Sequence, residues 1–237
     1  MSRIKSHQNG TAILDFSWLS HLALQPIAIT ARSAAIMTYS FDVSLPTHLG
    51  EVNMHLDPDF KHLTYGDEGA KGRRIYEMWK NNVLDFLVFY AGIRDVNPNE
   101  ERLVYAIIGF YWIDDIVRAT TVPLSRCNEN AHTRRARPGE DEIVVRAKRE
   151  ESGRLKRCVP IGCYRPRCDK PHGHPSYHVR LDLLTRWGDL SVSDGYLQRS
   201  AYIPEFKNAE QFIEWFRQYE PDLVARNNLI MQCCGPL

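Results

Sequence analysis

The chain has 237 residues, 43% of them hydrophobic and 25% charged, and its formal net charge is +1. This is the composition of an ordinary globular protein that is long enough to bury a core. No apolar stretch approaches the roughly 18 residues that a membrane-spanning helix needs, and the first ten residues lack the apolar segment of a signal peptide. We therefore expect a cytoplasmic protein that has no membrane partner.

The small net charge conceals a segregation of charge along the chain. Residues 118–170 contain 14 Lys or Arg against 7 Asp or Glu, whereas the remaining residues contain 16 against 22. A basic middle on an otherwise acidic chain predicts that an anionic partner binds there. A solvated, charged loop region is the alternative.

Short strand-like and loop-like segments occupy the first third of the chain. Residues 27–30 and 36–39 have the composition of strands, and residues 48–72 that of a loop, in which Gly66, Gly69 and Gly72 permit tight turns. A helix is predicted over residues 73–82, because its apolar residues fall on one face.

Paired strands are predicted over residues 83–90 and 103–113, two apolar runs that are separated by turn residues. Further strands are predicted over residues 142–147 and, from alternation of apolar and polar residues, over 177–184. Along 103–113 the same alternation predicts that Tyr105 and Tyr111 face away from Phe110 and Trp112.

The clearest helix lies near the C-terminus. Asn208 is a good N-cap, Gln211 is at the third helical position, and apolar residues then form one stripe. Several strands and a few helices without regular alternation predict an α+β fold around a curved sheet. We expect one domain over residues 1–237, with a core of about 26–220, an N-terminal extension (1–25) and a C-terminal tail (221–237).

Two polar groups are candidates for chemistry. The first is His55, Asp57 and Asp59, which could serve as acid, base or metal ligands; turn capping by the aspartates is the alternative. The second group lies in the basic segment, where Asn130 could read a base edge, His132 could titrate, and Arg134 and Arg135 could bind phosphate. A surface loop is the alternative for this group.

Cysteines and histidines are concentrated in residues 158–178. Their spacing is not that of a standard zinc finger, but the segment is rich in metal-ligand types. A zinc ion on Cys163, Cys168, His172 and His174 is one interpretation, and unliganded surface residues are the other. The sequence therefore does not decide whether the protein binds zinc or another cofactor.

Several of these segments resemble a known family. The matching text is Arg32-Ser33, His55-Leu56-Asp57-Pro58-Asp59-Phe60, Tyr65-Gly66-Asp67, Phe86 to Gly92, Tyr105 to Phe110, and Asn130-Ala131-His132. In this order they resemble the third type of nucleotide-modification-associated domain, found in bacteria, archaea and phages near DNA-modification systems.

The middle of the chain is also similar to the PUA-like group, which includes the ASCH, EVE and YTH domains. Gly109 matches the glycine of the second strand in that group, whereas Leu84 stands where its first strand has a glycine. The resemblance implies a PUA-like, mixed, curved sheet or barrel with flanking helices. It also implies a role with modified bases in DNA or RNA.

Three hypotheses of function follow. The first is a module that recognises modified bases in nucleic acid, DNA before RNA, or a nucleotide. The second is an enzyme of base or nucleotide modification that uses His55, Asp57, Asp59 and His132, and the third is a zinc-stabilised protein-interaction module. The residues expected to hold the base or nucleic acid are Tyr65, Asp67, Arg73, Arg74, Trp79, Tyr90, Tyr105, Trp112, Asn130, His132, Arg134 and Arg135.

Overall fold

The computed structural model describes residues 11–15, 57–94, 103–170, 172–197 and 203–227. The side chains of residues 11–15, 93–94, 103–104 and 163 are outside the description. The predicted strands at 27–30 and 36–39, and His55, lie outside the described residues.

A long antiparallel hairpin forms the centre of the sheet. Strand β3 (Leu84–Arg94) pairs with β4 (Leu103–Arg118), with Phe86 opposite Trp112 and Gly92 opposite Tyr105. The predicted pairing of the two apolar runs is confirmed, and both strands extend beyond the predicted ends.

The remaining strands add to this hairpin on both sides. Strands β1 (Thr11–Asp15), β9 (Glu205–Phe206), β6 (Gly153–Pro160) and β10 (Leu223–Val224) give the order β10-β6-β4-β3-β1-β9. Strand β5 (Ile143–Ala147) pairs with the second half of β4, and β2 (Thr64–Asp67) pairs with β5. All pairs are antiparallel except β1 with β3.

The α+β prediction is confirmed, whereas the predicted barrel is not formed. In the described part of the chain, the strand order runs from β10 to β9 without closing. Membership of the PUA-like group stays a prediction.

Three α-helices accompany the sheet: α1 (Gly69–Lys80), α2 (Leu181–Trp187) and α3 (Ala209–Gln218). Helix α3 begins as predicted, because the side chain of Asn208 accepts a hydrogen bond from the backbone N–H of Gln211 at 3.1 Å. Short 3₁₀ turns cover 119–121, 124–129 and 193–195. None of the helices in the described ranges is long and apolar enough to span a membrane.

The prediction of one strand over 177–184 was wrong in its second half. Strand β8 (Ser176–Val179) pairs with β7 (Gly162–Arg165), and α2 then begins at Leu181. Leu183, Leu184 and Trp187 are buried at helical spacing, so the alternation ends with β8.

Two apolar cores lie on the two faces of the sheet. Phe86, Val88 and Tyr90 face one core, which includes residues of α2 and α3, and Leu87 and Phe89 face the other, which includes Ile75 of α1. Successive residues of β3 therefore alternate between the faces.

The alternation in β4 is interrupted, so the predicted facing is confirmed for Tyr111 and was wrong for Tyr105. The register with β3 skips one residue between Ile107 and Gly109, as at a β-bulge. Tyr105, Phe110 and Trp112 consequently share one face, and Tyr111 lies on the other.

Candidate functional site

A cluster of buried titratable side chains forms where β2, β5 and the turn 130–133 meet. Strand β2 pairs with β5 so that Asp67 lies opposite Ile143, which places Glu142 next to the end of β2. Asp57 comes before β2, and His132 lies in the turn. Asp57, His132 and Glu142 are all less than a tenth exposed. We call these three residues the His132 cluster.

The imidazole of His132 lies between two carboxylates. Its Nδ1 is 2.8 Å from Oε2 of Glu142, and its Nε2 is 3.2 Å from Oδ2 of Asp57. Ionised carboxylates only accept hydrogen bonds, so this arrangement favours a proton on each nitrogen. Burial alone would lower the pKa of His132, but the hydrogen bond and charge of Asp57 and the hydrogen bond of Glu142 outweigh it and raise the pKa.

Strand β2 and Asn130 hold this array in place. The backbone N–H of Gly66 donates to Oδ1 of Asp57 at 2.7 Å, and the N–H of His132 donates to Oδ1 of Asn130 at 2.9 Å. Asn130 also donates to the hydroxyl of Thr64 at 3.2 Å. A Cβ at Gly66 would lie 2.1 Å from the imidazole Cδ2, so only glycine allows this approach of strand and ring.

An exposed rim connects the His132 cluster with solvent. Nη1 of Arg135 lies 2.7 Å from both Oε1 of Glu142 and Oε2 of Glu68. The side chains of Arg135 and Glu68 are 40% and 58% exposed. Burial would raise the pKa of Glu142, but hydrogen bonds from Gly139, His132 and Arg135 lower it, so the carboxylate is held in its charged form.

Two further carboxylates have partners of their own. Asp67 accepts a hydrogen bond from the hydroxyl of Tyr65 and forms a 2.7 Å ion pair with Lys71. Asp59 lies 2.7 Å from Nδ1 of His62 and accepts a hydrogen bond from Asn227 at 2.9 Å. Burial raises the pKa of Asp59, but these hydrogen bonds lower it overall.

The aspartates also influence a buried tyrosine that the sequence did not indicate. Burial raises the pKa of Tyr111 well above its ordinary value, and the charges of Asp57 and Asp59 raise it further. The Tyr111 hydroxyl is therefore neutral at ordinary pH.

The structure brings only part of the expected residues together. Asp57, Asn130, His132 and Arg135 form one contiguous network with Glu142. Arg134 lies at the edge, 4.0 Å from Asp59, and its guanidinium donates to the carbonyl of Asn128 at 2.9 Å.

Arg73, Arg74 and Trp79 have partners outside the His132 cluster. Arg73 pairs with Asp141 at 3.0 Å, and Arg74 pairs with Glu205. Trp79 packs against the core on the α1 side of the sheet.

Three of the expected aromatic residues belong to the core on the opposite face of the sheet. Tyr90 and Tyr105 are buried there, edge to face at 5.8 Å, and Trp112 is half-buried against Phe86. The structure therefore does not bring Tyr105 and Trp112 together with the segment from Asn130 to Arg135.

Part of the basic segment forms ion pairs within the fold. Arg126 and Arg146 pair with Glu129 at 2.8 and 2.7 Å, and Arg135 pairs with two glutamates. These ion pairs take up part of the positive charge that is concentrated in this segment.

The predicted zinc ligands are only partly described. Cys168, His172 and His174 are exposed, and the side chain of Cys163 lies outside the described residues. Among the side chains that the structure describes, Glu68, His132 and Glu142 are the group whose ligand atoms all lie within 4.8 Å of one another. Arg135 already contacts both glutamates of that group, so its guanidinium supplies the positive charge there.

Sequence reasoning missed Glu142, Glu68, Lys71 and Tyr111. Glu142 was taken as the first residue of a strand, and the structure places it one residue before β5, next to His132. Its position at a strand end was the one available signal, because polar side chains at the ends of paired strands can lie close together.

Comparison with known proteins identifies the family. A family model described as nucleotide modification associated domain 3 matches residues 30–206, which is most of the chain and includes the whole His132 cluster. No curated protein and no solved structure matches the chain. The chain therefore belongs to the nucleotide modification associated domain 3 family, as the resemblance in its sequence predicted.

Proposed function

We propose that this protein is an enzyme of nucleic acid modification, and that its His132 cluster transfers protons to and from a nucleotide or base. The observation that carries this proposal is the buried imidazole between the carboxylates of Asp57 and Glu142. Strongly perturbed titratable groups concentrate at functional sites, because catalysis needs pKa values that burial and neighbouring charges have shifted. The family description supports nucleotides as the substrate class.

Each part of the network has a role in this proposal. His132 passes the proton of its Nδ1 to Glu142, and Glu142, which contacts the rim residue Arg135, exchanges that proton with the ligand. Asp57 holds the ring in one orientation. Arg135 and Glu68 form the solvent-facing rim, where a guanidinium can bind phosphate or a base edge and a carboxylate can accept from an exocyclic amino group. When a nucleotide binds, the guanidinium of Arg135 releases one of its two glutamate partners and binds the ligand instead. This change opens the path to Glu142 and His132.

A recognition module without chemistry is the second candidate function. Both ring nitrogens of His132 already have partners, and Asp57 is fixed by the N–H of Gly66. Such a preorganised polar network also suits selective binding, because little ordering is needed when the ligand arrives.

The two candidates differ in turnover. Purified protein is incubated with deoxynucleotides and ribonucleotides, and with DNA and RNA oligonucleotides, each in plain and base-modified forms. Products are measured by liquid chromatography and mass spectrometry, and binding is measured by calorimetry. We expect DNA or deoxynucleotides to be converted, and His132→Gln to lower the rate by about 10²–10⁴-fold with little loss of affinity.

Glu129→Gln is the matched control variant. Glu129 is also a largely buried carboxylate, but it pairs with Arg126 and Arg146 and has no histidine partner. Its substitution should leave turnover unchanged. Binding without conversion, with affinity that falls steeply as salt increases, would favour the recognition module. Folded protein that neither binds nor converts any of these ligands contradicts both candidates.

A further inference from the structure

A second histidine-centred array lies on the β7–β8 hairpin. Ser176 and His178 are two residues apart on β8, so their side chains project from the same face of the strand. Oγ of Ser176 is 2.9 Å from Nε2 of His178. On the other side of the ring, Nδ1 is 3.1 Å from the carbonyl oxygen of Asp194 and 3.4 Å from its Oδ2.

The partners of the ring determine where its protons lie. Both groups near Nδ1 are acceptors, so Nδ1 carries a proton and donates. Burial, together with the charge of Arg165, lowers the pKa of His178, although its contacts with Asp194 oppose this change. The imidazole is therefore neutral, its Nε2 has a free lone pair, and the hydroxyl of Ser176 donates to it.

Asp194 is held in position as an anion. Arg165 binds both of its carboxylate oxygens, at 2.6 and 2.8 Å, and the backbone N–H of Cys168 donates to Oδ2 at 2.8 Å. The hydrogen bonds from Arg165, followed by those from Cys168, hold the pKa of Asp194 far below its ordinary value.

Ser176, His178 and Asp194 differ in their exposure to solvent. His178 is fully buried, and the carboxylate of Asp194 is 7% exposed. Ser176 is half-buried, whereas the imidazole that lies against its hydroxyl is shielded from solvent.

We propose that Ser176 is a nucleophile activated by His178 and oriented through Asp194, in a second site that cleaves an activated carboxylic ester. Oγ attacks the carbonyl carbon while its proton passes to Nε2 of His178. The carbon–oxygen bond to the leaving group then breaks, and the leaving alkoxide takes that proton. Water, deprotonated by Nε2, then attacks the serine ester, the bond between the acyl carbon and Oγ breaks, and the proton on Nε2 returns to Oγ as the acid is released. This site is independent of the proposed function of the His132 cluster.

An alkyl fluorophosphonate tests this site on the full-length protein. Attack by Oγ forms a phosphorus–oxygen bond and releases fluoride, and mass spectrometry of the intact protein and of its peptides locates the adduct. We expect one adduct, on Ser176, that forms at least about 100-fold faster than any adduct on Ser193. Ser176→Ala should abolish it, and His178→Gln should slow it to the rate of an ordinary serine.

Ser193→Ala is the matched control. The hydroxyl of Ser193 lies 3.0 Å from Arg167 and has no imidazole partner, so its loss should leave labelling of Ser176 unchanged. Because His178 is buried, its variant could fail to fold, so the native protein is also compared with the same protein unfolded in urea. Absence of labelling at Ser176 in the folded protein, or an equal rate in the unfolded protein, overturns the proposal.

Discussion

Replacing Gly66 by alanine tests the close contact between β2 and the imidazole of His132. The added Cβ would lie 2.1 Å from Cδ2 of His132 and 2.6 Å from Oδ1 of Asn130, well inside van der Waals contact. Neither neighbour can move aside easily, because both are buried and the ring is held at both nitrogens. Either the strand or the turn 130–133 must therefore shift.

The cost of this shift has two parts. Overpacking a buried position costs about 1–3 kcal/mol. The shift also weakens the hydrogen bond from the N–H of Gly66 to the carboxylate of Asp57, and a bond to a charged group is worth about 1.5–3 kcal/mol. We expect the free energy of unfolding, measured in urea by circular dichroism, to fall by about 3 kcal/mol.

Gly139→Ala is the matched control for this measurement. Its added Cβ would lie 3.4 Å from Oε1 of Glu142, an ordinary contact, and its backbone N–H would still donate to that oxygen. Its free energy of unfolding should stay within about 0.5 kcal/mol of that of the unsubstituted protein. If Gly66→Ala is as stable as Gly139→Ala, the contact between β2 and the imidazole does not exist.

Three further predictions concern stability. Glu142→Gln removes one charge of a buried ion pair, so it should lower the free energy of unfolding by about 3 kcal/mol. It should also lower the pKa of His132, measured by histidine NMR, whereas Glu129→Gln should leave that pKa unchanged. Because the folded pKa of His132 is raised above its ordinary value of about 6.5, the stabilisation is complete below that pH and is lost as the pH rises through the folded pKa. The stability difference between the unsubstituted protein and His132→Gln should therefore narrow as the pH rises from about 6.5 through the folded pKa of His132, and a difference that widens would contradict the assigned charge. Asn208→Ala should cost about 1 kcal/mol in urea unfolding, and no loss would mean that the N-cap bond to Gln211 is not formed.

Patterns in the sequence predicted the elements that depend on contacts between residues close together in the chain. The apolar runs of β3 and β4 and the cap of α3 are defined by neighbours within a few residues, and all three are found in the structure. The change from β8 to α2 was missed because alternation and helical spacing overlap for the few residues around Val179.

Long-range pairing explains most of what could not be predicted. The site depends on β2 pairing with β5, far apart in the chain, and no short pattern near Asp57 indicates Glu142 as a partner of His132. The skipped residue in β4 turned Tyr105 to the same face as Trp112, which strict alternation cannot anticipate. The candidate residues Asp57, Asn130, His132 and Arg135 were nevertheless indicated by residue type, by the basic segment and by the family resemblance.

Histidine NMR in the presence of nucleotides tests the central claim most directly. The pKa of His132, assigned with His132→Gln, is measured in the free protein and at saturation with plain and base-modified deoxynucleoside monophosphates. The proposal predicts a pKa above the ordinary histidine value in the free protein, and a shift of the His132 resonance and of its pKa on binding. Saturation by calorimetry without any change at His132 would contradict the assignment of this cluster as the nucleotide site.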